Sequence, residues 1–378
     1  MNTLMTKIRK LSLKQMIFYC ILFLGVLISI IFVNHNHSFY ERPIATVIET
    51  NVIDTTEVID QYNNEDVLYT QEITAELKNG DNKGKHIHLM NEYSLSGAYD
   101  YEYQVGHELF VSIDQMKDEN NKLTGDIRDL KRDKYIVIIT WIFIIVLLAV
   151  GKKQGLFASI SLALNLIILS YALDINVKTG FNLLLICIFA VIIFTVLSLL
   201  LVNGFNEKTY AAIISTLLGT FSALLITWFV MIVTNEKGLH YEEMQFLTRP
   251  YKLVFMAGLF IGSLGAVMDV AITMSASIFE LYEKNNYISI NKLKSSAFDI
   301  GKDIMGTMTN ILFFAYISGA MPMLLLYMKN YSDFRFTLSM NLSLELARAL
   351  AGGIGIVLTI PIGLYVSIFF IHRKKAKR

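Results

Sequence analysis

Residues 265–286, GAVMDVAITMSASIFELYEKNN, place two carboxylates, Asp269 and Glu280, in a run of apolar and small residues. A charged aspartate at the centre of a membrane helix costs about 2.5–3.5 kcal/mol on insertion scales. Apolar surroundings favour the neutral acid, so Asp269 could take up and release a proton. The alternative is structural: a permanently neutral Asp269 that hydrogen-bonds Asn310 or a threonine and holds two helices together. No basic residue lies in the middle of a neighbouring span, which disfavours a fixed ion pair.

The next predicted span begins FDIGKDIMGTMTN and supplies polar residues that can meet Asp269. Spacing of three and four residues predicts one helical stripe, formed by Asp299, Asp303, Gly306 and Asn310. A rise of 1.5 Å per residue puts Asp269 about 25 Å below Lys252, close to the level of Asn310, with Asp303 at the cytoplasmic mouth. The predicted proton or ion relay consists of Asp269, Glu280, Asp299, Asp303, Thr307 and Asn310.

Small residues accompany Asp269 at helical spacing. Gly258, Gly262 and Gly265 share its stripe, which predicts the close approach of another helix and puts Asp269 in a helix–helix seam away from lipid. A second glycine-rich stretch, AGGIGIV at 351–357, lies inside an apolar span. Close helix packing therefore explains it better than phosphate binding, and the packing positions are Gly352, Gly353 and Gly355.

The apolar content of the chain predicts a membrane protein. Hydrophobic residues make up 54% of the 378 residues, above the roughly 45–50% of soluble domains. The net charge of +1 gives no indication of a nucleic-acid partner. A bilayer core needs about 20 apolar residues in a helix, because lipid offers no partner for free backbone groups. The eight predicted spans are 16–33, 135–150, 155–173, 181–203, 209–233, 252–275, 304–327 and 349–371.

Lysine and arginine residues in the loops predict the orientation. With both termini in the cytoplasm, the cytoplasmic segments hold more than twice as many of them as the short outer loops. The first span, with its basic flank at 7–14, also has features of a signal peptide. Its apolar core is longer than a usual signal-peptide core, and no small-residue cleavage pattern follows it. We therefore predict a retained signal anchor.

The long polar segment 35–133 has the pattern of β-strands. IATVIETNVID and YEYQVGHELFVSI favour strands, and QEITAELKNGDNKGKHIHLMNEY favours two strands around an Asn-Gly turn. A small, barrel-like β domain outside the membrane is therefore predicted. The pairs His35/His37 and His86/His88 could each face one side of a strand and hold a metal. No carboxylate or cysteine at fixed spacing joins them, so no metal site is predicted.

The predicted fold class is an all-α polytopic membrane protein of about eight transmembrane helices, with a small extracytoplasmic β-rich domain after the first helix. Its segments are a cytoplasmic N-terminus with the signal anchor (1–34), the β-rich domain (35–133), a seven-helix membrane domain (134–371) and a basic cytoplasmic tail (372–378). GDIRDLKRDKY before the second span is interpreted as a collar of snorkelling basic side chains. The expected location is the plasma membrane.

Several of these features together resemble the YibE/F family of bacterial membrane proteins. They are the outer β domain after a signal anchor, RDLKRDKY before the second span, Gly151 and Gly155 at the first inner turn, and GSLGAVMDVAITMSASIFEL. The resemblance covers most of the chain, and its layout resembles the YibE branch. It implies a class of membrane protein and no particular reaction. The expected partners are the lipid bilayer and either a second YibE/F-type protein or another copy of this chain.

A shorter resemblance points to a mechanism. The fourth-to-fifth-span unit of RND-superfamily permeases is similar to Gly265, Asp269, Ala271, Ile272 and Glu280, followed by Ala297, Gly301, Ile304 and Thr307. The resemblance implies that Asp269 takes part in proton-coupled movement. The chain departs from that pattern, since its outer domain is small and eight spans exceed the six of one RND half.

Three functional classes are compatible with the sequence. The favoured class is a transporter-like or export-assisting protein in which the predicted relay residues respond to protons or ions. The second is a non-transporting scaffold or sensor that binds a partner through its outer domain. The third is an intramembrane aspartyl protease, which the depth mismatch of Asp269 and Asp303 disfavours, because a dyad sharing one proton needs carboxylates about 3 Å apart. No nucleotide-binding or metalloprotease motif occurs, so no enzymatic activity and no cofactor are predicted.

Overall fold

The computed structural model describes residues 13–97, 100–114, 123–241, 244, 250–285 and 287–376. Some residues used for the predicted orientation lie outside the described part, either whole or as side chains, namely Lys7, Arg9, Lys10, Lys14, Arg249, Lys374, Lys375, Lys377 and Arg378. The chain divides into two compact units, Met1–Val146 and Leu147–Arg378.

The first unit contains a helix, a barrel and the start of a second helix. Helix α1 (Leu13–His35) is followed by a 3₁₀ turn (His37–Phe39) and by five strands, which are β1 (Ile44–Ile59), β2 (Glu65–Leu77), β3 (His86–Ser94), β4 (Glu108–Ile113) and β5 (Leu123–Leu130). They close in the order β1-β2-β3-β5-β4, with β3 and β5 parallel. This is the strand order of the OB-fold barrel. The collar interpretation of GDIRDLKRDKY is wrong for its first half, because that half completes β5.

Buried and more exposed side chains alternate along the strands, and the buried ones form the barrel core. In β2, Ile73, Ala75 and Leu77 are buried, while Thr74 and Glu76 between them point to the opposite face. Buried apolar residues of all the strands but β5, together with Tyr103, complete the core. The predicted strands at 44–54 and 71–93 are thereby confirmed, and that at 101–113 is confirmed for its second half, Glu108–Ile113.

The β1–β2 hairpin continues beyond the barrel. Its strands stay paired from Val52 opposite Gln71 to Ile59 opposite Glu65. β4 pairs with β1 only at its first three residues, Ile44–Thr46. We call residues 52–67 the hairpin arm. Val52, Ile53 and Ile59 on the arm are exposed, so it presents apolar side chains outside the barrel core.

The remaining helices are α2 (Asp133–Thr179), α3 (Leu183–Asn203), α4 (Glu207–Thr234), α5 (Tyr251–Lys284), α6 (Ile290–Lys329) and α7 (Phe334–Ala376). Side-chain caps begin several of them. The side-chain oxygens of Asn182, Asn206 and Ser289 accept hydrogen bonds from backbone N–H groups in the first turns of α3, α4 and α6. Together with α1, the described residues contain seven helices that are long and apolar enough to cross a membrane.

Among the described residues the count of such helices is seven, compared with eight predicted spans, because the second and third predicted spans lie on either side of a kink in α2 and count as one helix. Lys152 interrupts this helix with φ 47° and ψ −120°. A Cβ added at Gly155 would collide with the backbone oxygen of Leu147. Residues eight apart cannot meet in a straight helix, which would separate them by about 12 Å. The chain therefore turns sharply at Lys152, between predicted spans 135–150 and 155–173.

In the second unit, α7 is the central helix. Helices α4, α5 and α6 each pack against it, and α3 packs against α5. In the most apolar 18-residue stretch of each helix, 50% of the residues are buried in α5 and 56% in α7, but only 6% in α6. Helix α6 therefore covers the bundle with one narrow face and leaves most of its surface open.

Candidate functional site

Helix α5 has one apolar face and one small, polar face. The apolar face is packed in the bundle and includes Phe255, Phe260, Val267, Met274 and Ile278. The other face carries exposed residues at spacings of three, four and seven, which we call the α5 stripe: Gly258, Gly262, Gly265, Asp269, Ala276 and Glu280. The spacing predicts that a neighbouring helix covers Asp269. Within the chain no helix covers it, and its side chain is exposed. The reason is that burying the large apolar side chains opposite gains more free energy.

The predicted packing glycines of the α5 stripe differ in their surroundings. A Cβ at Gly262 would contact the hydroxyl of Tyr316 on α6. A Cβ at Gly258 or Gly265 would meet no described atom of another helix within 4 Å. Helix α6 therefore touches the stripe at Gly262 and leaves it open on both sides.

The Gly262–Tyr316 contact sets the relative level of Asp269. Helices α5 and α6 are joined by the short connection 285–289, as is typical of antiparallel neighbours. Two turns, about seven residues, lead from Gly262 to Asp269 on α5 and from Tyr316 back to Thr309 on α6. The Thr309 hydroxyl is buried and has no hydrogen-bond partner among the described residues. Asp269 thus lies level with an unsatisfied hydroxyl group.

Three of the predicted relay residues line one groove on α6. The groove encloses about 800 Å³, and the residues that line it are Asp303, Gly306, Thr307, Asn310, Ile311, Phe314, Ala315 and Ser318. Asp303, Thr307 and Asn310 are therefore brought together on one face, as their spacing predicts. Asp303 lies six residues from the level of Asp269, about 9 Å along the helix. Asp269 and Asp303 are thus too far apart along the helices to share one proton.

The four carboxylates of the predicted relay differ in their partners. Glu280 pairs with Lys284 at 2.7 Å, and Asp299 pairs with Lys302 at 3.1 Å. The side chains of Asp269 and Asp303 form no ion pair or hydrogen bond within the described ranges. Their backbone carbonyl groups accept hydrogen bonds from the Thr273 and Thr307 hydroxyls at 2.8 and 3.4 Å. Glu280 and Asp299 are thus neutralised locally, whereas Asp269 and Asp303 are not.

The glycines of α7 lie where other helices approach it. A Cβ at Gly352 would collide with Leu312 of α6. A Cβ at Gly355 would lie 2.9 Å from Val267 and 3.2 Å from Ala223, and one at Gly353 would lie 3.5 Å from the Thr309 methyl group. AGGIGIV therefore serves as a contact surface for three helices.

Two further close approaches are absent from the predicted packing positions. A Cβ at Gly219 of α4 would collide with the Thr359 hydroxyl, and one at Gly301 of α6 would collide with Ile360. The signal for Gly219 is visible in retrospect, since buried small residues recur on α4 at spacings of three and four, namely Ala212, Ser215, Gly219 and Ala223. The hydroxyls of Ser215 and Thr359 donate to carbonyl groups four residues earlier, so both hydroxyl groups in this seam have a hydrogen-bond partner.

The first unit contains a charged cluster that the sequence does not reveal. Lys131 is only 1% exposed. Its ammonium group donates to Glu108 at 2.8 Å, contacts Asp133 at 3.0 Å and donates to the backbone oxygen of Val33 at 3.0 Å. Asn36 and Tyr40 donate to the other oxygen of Asp133. We call these residues, with His37 on Glu108, the Lys131 cluster. It ties the end of α1 to the barrel and to the start of α2.

Mutual charge stabilisation outweighs burial in this cluster. Burial alone lowers the pKa of Lys131, but its hydrogen bonds to Glu108 and Asp133 raise the pKa above its ordinary value. Burial raises the pKa of Glu108, but hydrogen bonds from Lys131 and His37 lower it more, so the carboxylate stays charged. The collar interpretation is therefore also wrong for Lys131, which points into the protein and not along a membrane surface.

The predicted histidine pairs occupy separate environments. His37 contacts Glu108 at 3.1 Å, and His35 contacts the backbone oxygen of Ile31 at 2.9 Å. His86 and His88 lie on β3 opposite Glu76 and Thr74. Among the described residues there is no group of three or more histidine, cysteine or acidic side chains that could hold a metal ion.

Two family models match the chain. The model described as YibE/F-like protein matches residues 139–373, and the model described as YibE/F family N-terminal domain matches residues 38–130. The two matches together cover nearly the whole chain. Comparison with curated proteins and with solved structures gives no significant match. The likeness to the RND permeases stays a prediction.

Proposed function

Because the chain belongs to the YibE/F family, we propose that it is a multi-pass membrane protein of the transporter-like or export-assisting class in which Asp269 takes up and releases a proton. The observation that carries the proposal is the exposed position of Asp269 on α5, without a charged partner among the described residues. A charge at such a depth costs about 2.5–3.5 kcal/mol in a bilayer. Protonation removes most of this cost, so the charge of Asp269 depends on its access to water.

The groove on α6 supplies the remaining part of the proposed proton path. Asp303, Thr307 and Asn310 line it, whereas Thr309 lines a separate cavity against α7. In this proposal Asp303 exchanges protons with water in the groove, Asn310 holds that water by hydrogen bonds, and Asp269 is the innermost titrating group. Glu280 and Asp299 lie at the entrance beside their lysine partners and are not part of the proton path in this proposal.

The exposed polar faces of α5 and α6 also support an assembly. In a bilayer, a single chain would present Asp269 and the α6 groove to lipid. Ionisable residues within membranes almost always face protein or a water-filled cavity. We therefore propose that a second copy of the chain, or a second YibE/F-type protein, covers the α5 stripe. The open positions Gly258 and Gly265 would let its helix approach closely.

The orientation predicted from the basic residues belongs to the same proposal. Both termini and the connection 285–289 lie in the cytoplasm, and the barrel lies outside. Reporter fusions at Lys153, at Lys292 and after the C-terminus should report cytoplasm, and a fusion within 60–97 should report the outside. An outside signal at Lys292 would contradict this orientation.

The proton role can be tested in liposomes that contain a pH-sensitive dye. Under an imposed pH gradient, the wild-type chain should dissipate the gradient faster than empty liposomes. Asp269→Asn should return the rate to that of empty liposomes, because asparagine keeps the shape of the neutral acid but cannot ionise. Asp269→Leu would be less informative, since it removes the polarity and hydrogen-bonding capacity of the side chain as well as its charge.

Asp299→Asn provides the matched control. Asp299 is also a carboxylate of the predicted relay, but Lys302 pairs with it at 3.1 Å. It should keep most of the wild-type rate. Equal rates for the wild type and Asp269→Asn, at equal protein per liposome, would remove the proton role and leave a structural one.

A second candidate function, a scaffold or sensor that binds a partner through the barrel, is favoured by the hairpin arm. Between residues 43 and 77 the sequence holds eight carboxylates and no lysine or arginine. The arm also exposes Val52, Ile53 and Ile59. Such a surface fits a basic partner with an apolar patch.

The two candidate functions separate on one pair of variants. Asp54→Asn together with Glu57→Gln removes charge from the arm without touching the barrel core. If the arm binds a partner, this variant should fail to complement cells that lack the protein yet keep the proton flux in liposomes. If the relay alone matters, it should complement fully, whereas Asp269→Asn should not.

A further inference from the structure

The end of α1 and the β2–β3 turn enclose a polar cavity of about 390 Å³ in the first unit. We call it the junction pocket. The lining residues that matter here are His35, His37, Ser38, Lys78, Asn79 and Lys83. It lies at the end of the barrel where α1 meets β1, whereas the hairpin arm extends from β1 and β2 at their far ends.

A buried amide side chain fixes one wall of the junction pocket. Asn79 is 8% exposed. Its amide nitrogen donates to the backbone oxygens of His37, Tyr40 and Arg42 at 3.0, 3.0 and 2.9 Å. Its side-chain oxygen accepts from the backbone N–H of Ile44 at 2.6 Å. The segment from α1 to β1 is thereby held against the β2–β3 turn, so the pocket is largely preformed and binding requires little ordering.

The charges around the junction pocket favour an anion. Of the described residues that line it, four carry basic groups, and none carries a carboxylate. Glu76 and Glu108 offset part of this charge, since they contact Lys78 and His37 at 2.7 and 3.1 Å. His35 and Lys83 have no carboxylate partner in the described part of the chain. The Ser38 hydroxyl adds a neutral hydrogen-bond donor.

From this geometry we propose that the junction pocket binds a phosphate group, carried by a lipid head group or by a small free phosphate. Ammonium, imidazole and hydroxyl donors converging on one cavity suit an oxyanion that accepts several charge-assisted hydrogen bonds. His35 is the last residue of the apolar helix α1. A bilayer crossed by α1 would place its head groups at this level. The lipid source therefore rests on the membrane location proposed above, and the free-phosphate source does not.

The test compares the wild-type chain with the double variant His35→Gln and Lys83→Gln. The control is Lys85→Gln, since Lys85 lies on the same turn but bonds to Asn82 at 2.9 Å and does not line the pocket. One arm titrates the full chain in detergent with inorganic phosphate and with glycerol phosphate, using calorimetry. The other reconstitutes it in nanodiscs of phosphatidylglycerol or of phosphatidylcholine and counts retained lipids by native mass spectrometry.

Each outcome decides between the sources or rejects the site. Phosphate binding that weakens by about tenfold or more in the double variant, and not in Lys85→Gln, assigns a free phosphate. Phosphatidylglycerol retained by the wild type and the control, but lost from the double variant, assigns a lipid head group. Equal binding by all three chains, or binding by none, overturns the proposal. Thermal unfolding without ligand should be the same for all three, since the replaced side chains are exposed.

Discussion

Lys131 and Asp269 show two opposite treatments of a charged side chain. Lys131 is almost completely buried, but every element around it supplies a partner: Glu108 from the barrel, Asp133 from α2 and a backbone oxygen from α1. Asp269 lies in the middle of an apolar helix and has no charged partner among the described residues. The first charge is compensated and the second is not.

This difference separates a structural charge from a candidate functional one. A compensated charge is locked in one protonation state, since losing or gaining a proton would break its hydrogen bonds. An uncompensated carboxylate in apolar surroundings changes its charge when its access to water changes. Substitutions in the Lys131 cluster should therefore change stability, and substitutions at Asp269 should change activity.

The largest effect is expected from Lys131→Met. This substitution leaves Glu108 and Asp133 without their cation, and breaking a buried ion pair costs about 3–5 kcal/mol. Thermal unfolding of the detergent-solubilised chain, monitored by proteolytic cleavage within the barrel, should show this loss of stability as a lower unfolding midpoint. Lys85→Met, on the exposed β2–β3 turn, should leave the midpoint unchanged. A wild-type midpoint for Lys131→Met would show that the cluster does not hold the barrel to the helices.

Acid should weaken the same cluster. Burial raises the pKa of Glu108, but hydrogen bonds from Lys131 and His37 lower it more, so it lies below the ordinary 4.5. The stabilisation is therefore present above about pH 4.5 and disappears as the pH falls through the lowered pKa. Lys131, whose pKa is raised above 10.5, keeps its contribution until the pH rises past that raised value.

The cluster should thus give constant stability from about pH 5 to 10. Loss of the charge-assisted hydrogen bonds in acid should cost about 1.5–3 kcal/mol. Unfolding midpoints measured across this range check the prediction. Glu108→Gln should flatten the acid limb, and an unchanged acid limb in that variant would assign the titration to other groups.

A pair of glycine substitutions distinguishes the packed seam from the open α5 stripe. Gly219→Ala should destabilise the bundle by about 1–3 kcal/mol, because its Cβ would collide with Thr359 and lie 3.2 Å from Val267. Gly265→Ala should leave the single chain as stable or up to about 1 kcal/mol more stable, since its Cβ meets open space and alanine favours helix. Melting curves in detergent give both values.

The proposed assembly gives a further test of the open α5 stripe. If a second chain covers the α5 stripe, Gly265→Leu should reduce the oligomeric fraction seen by cross-linking without lowering the melting point of the single chain. Equal cross-linking of the wild type and Gly265→Leu would contradict an assembly at this face.

Local sequence patterns predicted much of the fold, but they could not predict contacts between residues that are far apart in the sequence. Period-two alternation located β2 and β3, and apolar length located α1 and α3–α7. The Lys131 cluster could not be predicted, because its partners Glu108 and Val33 are 23 and 98 residues away in sequence. The turn at Lys152 was within reach of the sequence, since the gap between the predicted spans 135–150 and 155–173 places an inner turn there.

The candidate site shows the same limit. Helical spacing correctly grouped Asp269 with the glycines of α5, and Asp303 with Asn310 on α6. Spacing alone cannot decide which face of α5 is buried, because that depends on what the bundle offers. Phe260, Val267 and Met274 are buried in the bundle, whereas Asp269 on the opposite face is exposed.

The most direct test of the proton role is carbodiimide labelling of Asp269 in nanodiscs, followed by peptide mass spectrometry from acid to alkaline pH. Carbodiimides react with protonated carboxyl groups in apolar surroundings, so labelling reports the protonation state of this side chain. Proton cycling predicts labelling of Asp269 that is present at low pH and lost as the pH rises, with Glu280 and Asp299 unlabelled beside their lysines. Labelling of Asp269 that does not change with pH, or no labelling at any pH, would contradict the claim that Asp269 exchanges protons.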